Sequence, residues 1–209
     1  MKKNTINSII NNRGTLLVID NYDSFTYNLV QMFMPYSLEI VVKRADKITI
    51  KESMDIAPDY ILISPGPRDP DHAGISSEMI RRFHEIRPIM GVCLGMQCLN
   101  EVFGGTTTRA PVPVHGKTDK IHNTGSGLFR EMPSPFKAAR YHSLIIEPDA
   151  GGPLGITAWN SEGIVMGVEL PGFPVYGVQF HPESFLTEKG DILIRNFLNY
   201  SDKKFSQLF

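Results

Sequence analysis

The stretch Pro88-Ile89-Met90-Gly91-Val92-Cys93-Leu94-Gly95-Met96-Gln97 passes from an apolar strand pattern into a helical one across a cysteine set between two glycines. Glycine, any residue, nucleophile, any residue, glycine is the layout of a nucleophile elbow, a tight strand-to-helix turn, here with Cys93 at the nucleophile position. A turn this sharp crowds the residues two before and two after its apex, so Gly91 and Gly95 are expected because no side chain fits there. The thiol then stands clear of the backbone at the first turn of a helix predicted from about Leu94 to Phe103. Unpaired N–H groups and the helix dipole at that end favour a thiolate. Taken alone, the stretch also fits a buried, inert cysteine at a helix start, a common place for a free thiol.

Working outward, the totals set the scale. A chain of 209 residues with 42% hydrophobic content suits one α/β domain with its own core. The net charge is −1 with no long run of one sign, so nothing points to nucleic acid or an anionic membrane as partner, and a small substrate is expected. Cys93 and Cys98 fall on one predicted helix, a poor geometry for a disulfide and too few ligands for zinc, which fits a reducing cytoplasm. Residues 1–14 are polar and Asn-rich with neither a signal-peptide core nor a membrane span, and are expected to form a loose N-terminal extension. Order is expected over residues 15–200, with 201–209 as a loose tail.

Thr15 to Asp20 is a continuous apolar run of the kind that marks a strand buried on both faces of a parallel sheet. Asn21 to Ser24 supply turn and cap residues for a helix ending before Pro35. Strands follow at Leu38 to Val42 and Tyr60 to Ile63, joined by a polar connection. Ser64-Pro65-Gly66-Pro67-Arg68-Asp69-Pro70 is then a rigid loop at a strand's carboxyl end, the edge where open α/β sheets bind ligands. Ser76 is read as the cap of a helix to about Glu85. Beyond Gly104, prolines 111 and 113 interrupt short strand-like runs. Others come at Phe136 to Tyr141, Leu154 to Trp159 and Ile164 to Leu170, so this half reads as partly antiparallel. A strand from Val175 to Phe180 runs into His181-Pro182-Glu183, and a helix from about Lys189 to Tyr200 closes the chain. The whole predicts an open, twisted, mostly parallel sheet with helices on both faces and a smaller antiparallel part.

A cysteine nucleophile needs a base and something to orient it. His181 can draw the proton from Cys93, and Glu183 can hold the imidazole and stabilise its cation. Alone, His-Pro-Glu at a strand end also fits an ordinary turn. Its pairing with an elbow cysteine, both at strand carboxyl ends, favours a triad. Gln97 lies one helical turn beyond Cys93, able to bond a polar substrate or to be an exposed amide. Cys98 falls on a different face, among Leu94, Leu99 and Val102, and reads as core.

These motifs resemble the class I (triad) glutamine amidotransferases over nearly all of the chain from Leu16 to Tyr200. GVCLGMQ at 91–97, SPGP at 64–67 and GVQFHPE at 177–183 stand in that family's order and at similar separations. The resemblance implies a flavodoxin-like α/β fold and a glutaminase with Cys93 as nucleophile, His181 as base and Glu183 as its orienter. It also implies an oxyanion hole from the N–H groups of Gly66 and Leu94. Gly66, Pro67, Arg68, Gln97, Ser143 and Leu144 are then expected to hold L-glutamine, with no metal or organic cofactor. The blocks DNYDSFTYNL at 20–29, HGK at 115–117 and RYHSL at 140–144 resemble the branch serving chorismate-aminating synthases. The implied partner is a chorismate-binding subunit, of anthranilate synthase, of aminodeoxychorismate synthase, or of both in turn. A stand-alone γ-glutamyl hydrolase and a non-catalytic scaffold are the competing readings.

One position departs from the branch, which usually has SPGPG. Arg68 takes the place of the last glycine, where positive φ and close approach are normally open. Either the loop has shifted or it keeps a φ that arginine tolerates. The cation is expected to face outward, toward the partner, because Gln97, Ser143 and Leu144 already suffice to hold the substrate.

Overall fold

Leu16 and Val18 pack into one hydrophobic cluster and Leu17 and Ile19 into another, which is what strict side-chain alternation requires of a strand covered on both faces. That strand is β1, Thr15–Asp20. The computed structural model describes residues 14–204. Parallel to β1 run β2 (Glu39–Arg44) and β3 (Tyr60–Ile63), followed by β4 (Ile89–Val92). Four strands, β5 (Thr106–Asn123), β6 (Phe136–Glu147), β7 (Gly155–Asn160) and β8 (Val165–Glu169), precede β9, Val175–Val178. The order is β2-β1-β3-β4-β9-β8-β7-β5-β6. Pairing is parallel as far as β9 and antiparallel beyond it. The expected antiparallel part is therefore continuous with the parallel sheet, and β9 is the strand where the sense changes.

Helices cover both faces. Leu29 and Phe33 of α1 (Thr26–Phe33) and Leu193, Ile194 and Phe197 of α5 (Gly190–Lys204) pack on the Leu16 side. Ile50 and Ile56 of α2 (Ile50–Ile56), Met79, Ile80 and Phe83 of α3 (Ser76–Phe83), and Leu94 and Met96 of α4 (Leu94–Val102) pack on the Leu17 side. Each such aliphatic or aromatic side chain contributes about 1.5–3 kcal/mol by leaving water.

Four local features differ from expectation. Helix α2 was expected to be polar connection, yet Thr49-x-x-Glu52 forms a full capping box: the Glu52 N–H donates to Thr49 Oγ1 at 3.2 Å and the Thr49 N–H to Glu52 Oε2 at 2.8 Å. Prolines 111 and 113 do not end β5. They fall within a register shift against β6 between Arg109 and Val114, where no ladder donor is needed. Ser76 is not a cap; its hydroxyl donates to Asn21 Oδ1 at 3.0 Å, and Ile75 precedes the helix. Helix α5 runs past Tyr200 to Lys204. The expected N-terminal extension lies outside the described residues except for Gly14, as does the tail beyond Lys204.

Helix α4 lies against β3 with no room to spare. A Cβ on Gly95 would collide with the Ile63 carbonyl oxygen, and backbone cannot swing aside as a side chain can. Gly95→Ala is expected to cost about 1–3 kcal/mol of unfolding free energy, measured by urea denaturation.

Candidate active site

The carboxyl ends of β1, β3, β4 and β9, neighbours in the sheet, deliver the candidate residues to one edge. At the end of β4, Cys93 has φ 54° and ψ −103°, a conformation costly for any residue with a side chain. The turn is held from both sides. A Cβ on Gly91 would sit 2.5 Å from the Gly95 carbonyl group, and the Cys93 N–H donates to the Val178 carbonyl of β9 at 2.8 Å. The side chain is nearly buried, 7% exposed. Leu94 opens α4, where a backbone N–H has no intrahelical acceptor.

The Ser64–Pro70 loop is bracketed by Asn21. The Asn21 N–H donates to Ser64 Oγ at 2.9 Å, its amide to the Ser64 carbonyl at 3.1 Å, and its Oδ1 accepts from Ser76. Gly66 is wedged in the same place, since a Cβ there would lie 2.5 Å from Asn21 Cβ and 2.8 Å from Leu94 Cδ2. The two residues expected to supply oxyanion donors thus adjoin each other. Pro67 and Arg68 are exposed. Arg68 has a left-handed φ of 67°, the region that a glycine would favour.

His181 Nδ1 is 2.6 Å from Glu183 Oε1, with the two side chains 3% and 0% exposed. Phe25 and Tyr141 wall the imidazole edge-on, their ring centroids 6.1 and 5.0 Å from its own. Burial works to lower the His181 pKa, but the proximity of Cys93 and Glu183 outweighs it and raises the value to about 10. Among the described residues Nε2 nonetheless makes no aligned hydrogen bond, so sulfur and imidazole are near but not joined. The segment from 181 to 188 is sewn onto β6. The His181 N–H donates to the Ala139 carbonyl at 3.0 Å, and the Glu188 N–H to the Lys137 carbonyl at 2.9 Å. In return the Ala139 N–H donates to Thr187 Oγ1 and the Lys137 N–H to Glu188 Oε2, both at 3.0 Å.

Gln97 is buried rather than an exposed amide, and its Nε2 donates to Gln179 Oε1 at 3.4 Å. Ser143 is exposed and Leu144 half-buried, both on β6 just past Tyr141. The Leu144 carbonyl is held by buried His142 Nδ1 at 2.9 Å, while His142 Nε2 accepts from Arg140 Nε at 3.0 Å. Burial, then the Arg140 cation, lowers the His142 pKa to about 4, so it stays neutral in this bracket. Burial pushes the Cys98 thiol up to about 12, in keeping with a core position. Sequence reasoning missed the side-chain contacts of Asn21, Phe25, Tyr141, His142 and Gln179. All stand inside the motif blocks, which was the available signal.

Residues 17–200 match the family model described as glutamine amidotransferase class-I. The chain is 47% identical to anthranilate synthase component 2 of Azospirillum brasilense over 186 residues, covering 88% of this chain and 95% of the relative. It is 48% identical over 184 residues, with the same coverage, to aminodeoxychorismate/anthranilate synthase component 2 of Bacillus subtilis. Its fold matches a solved structure from Thermoplasma acidophilum with a TM-score of 0.82 at 23% identity, covering 94% of this chain and 98% of that one.

Because the folded pKa of His181 is raised above the ordinary 6.5, its contribution to stability is complete below that pH and is lost as pH rises through about 10. Glu183→Gln removes one of the groups that raise it, so the stability gap between the two proteins should close between pH 7 and 10 in urea titrations. Arg68→Gly should relieve a left-handed arginine and raise the unfolding free energy by about 1 kcal/mol or less in the same assay.

Proposed function

The chain belongs to the class I glutamine amidotransferase family, and from that membership we propose that it is the glutaminase subunit of a chorismate-aminating synthase, anthranilate synthase first. The observation that carries the proposal is the buried His181–Glu183 pair, 2.6 Å apart, beside an elbow cysteine on the neighbouring strand. In this reading residues 15–200 are the amidotransferase domain and the ammonia goes to a separate chorismate-binding subunit.

The Cys93 thiolate attacks the side-chain carboxamide of L-glutamine. The resulting oxyanion accepts hydrogen bonds from the Gly66 and Leu94 N–H groups, each such donor worth roughly two to three orders of magnitude in rate. Collapse breaks the C–N bond, and protonated His181 gives its proton to the departing ammonia. Water then attacks the γ-glutamyl thioester with the same imidazole as base, releasing glutamate and the thiol. Glu183 holds the ring throughout. Gly66, Pro67 and Arg68 from the loop, with Gln97, Ser143 and Leu144, surround the substrate.

The second reading is service to aminodeoxychorismate synthase, alone or in addition, and it is favoured by the nearly equal identity to a relative named for both activities. Glutamine hydrolysis assayed with each synthase in turn separates the two. Cys93→Ala should abolish glutamine-dependent product and leave ammonia-dependent product within about two-fold, because the half-reactions occupy different subunits. Loss of both would overturn that division of labour.

A further inference from the structure

Gln179 takes no part in the chemistry above, yet it is wholly buried between the end of β9 and His181. Its backbone N–H is fixed on the Met166 carbonyl at 3.0 Å. Its side-chain Nε2 donates to Cys93 Sγ at 3.4 Å, and its Oε1 accepts from Gln97 Nε2. An amide oxygen already occupied by a donor leaves the NH2 end to face the sulfur.

Resting on the reading of Cys93 as nucleophile, we propose that Gln179 is a hydrogen-bond donor that aims the Cys93 sulfur and stabilises it as thiolate, with Gln97 fixing the amide's orientation. A thiolate only accepts hydrogen bonds, so an N–H donor favours it over the protonated thiol. Being neutral, the amide does so without capturing the proton that His181 must carry. It also holds the sulfur from the β9 side while Cys93's own N–H is held by Val178, so both ends of the residue answer to two consecutive residues, the last of β9 and the one after it. When the C–S bond forms, charge passes from sulfur to the oxyanion. The donor then holds a spent nucleophile only weakly, and its effect belongs to the state before attack.

The test is alkylation of Cys93 by iodoacetamide in the full chain at pH 7 and pH 10, read on the Cys93 peptide by mass spectrometry, in wild type, Gln179→Met and Gln179→Glu. His181, the titratable group beside the sulfur, and its partner Glu183 are the same in all three proteins. Gln179→Met should react about ten-fold more slowly at pH 7 and within two-fold at pH 10, where an ordinary thiol is already ionised. Gln179→Glu, of equal volume but presenting a carboxylate, should lose at least as much at pH 7. With the synthase present, kcat for glutamine hydrolysis should fall by a similar factor and KM stay within two-fold. A wild-type ratio of the two alkylation rates in Gln179→Met, or undiminished alkylation in Gln179→Glu, would overturn the proposal. Failure of both variants to fold, seen by thermal unfolding, would also overturn it by making the amide structural. Alkylation involves no glutamine, so a wild type that serves neither synthase would refute the proposed function and leave this result standing.

Discussion

The parallel pairing of β4 with β9 is the constraint on which the site depends, because it makes neighbours of Cys93 and His181 from distant parts of the chain. Its last tie is the hydrogen bond from the Cys93 N–H to the Val178 carbonyl. A slip of one residue would carry His181 about 3.3 Å along the strand and turn alternate side chains to the wrong face. The register is protected by burial. All four residues of β4 and all four of β9 are buried, and Gly177 lies so close to Met96 of α4 that a Cβ would come within 2.8 Å of its side chain.

Within that frame the site holds groups that are expensive to bury. His181 and Glu183 give up water and recover one short hydrogen bond, while Glu183 Oε2 and His181 Nε2 remain without partners among the described residues. Such a pair is poor material for stability. Phe25 and Tyr141 add no hydrogen bond to the ring; they fix its plane and keep the site at low dielectric, where the carboxylate acts on it most strongly. The Asn21 bracket does similar work for the Ser64–Pro70 loop, and the Arg140–His142 bracket for the part of β6 that carries Ser143 and Leu144.

The parallel half was legible because buried parallel strands are written as unbroken apolar runs: Thr15–Asp20 and Tyr60–Ile63 form as the pattern predicts. The elbow was legible because its steric demand falls on two fixed positions, Gly91 and Gly95. What failed was local punctuation. Prolines 111 and 113 read as breaks, but a register shift absorbs them, and a serine read as a cap serves a tertiary contact to Asn21 instead. The Thr49–Glu52 box, by contrast, is a helix-start signal that stands in the sequence itself, within a segment whose composition is polar. Contacts such as Gln179 on Cys93 could not be read, since nothing in local sequence says which side chain meets which across a strand junction.

The segment from His181 to Glu188 has a second consequence, one of solubility. Among the described residues strand β6 ends the sheet, and an end strand with open N–H and C=O groups is a template for pairing with another chain. Here the groups of Lys137 and Ala139 are occupied by the same eight residues that bring the imidazole and carboxylate into place. Loosening that segment therefore uncovers an adhesive strand edge at the moment it dismantles the site. Variants damaged there are expected to be lost to aggregation as well as to inactivity, and selection against aggregation would preserve the candidate site along with the covered edge.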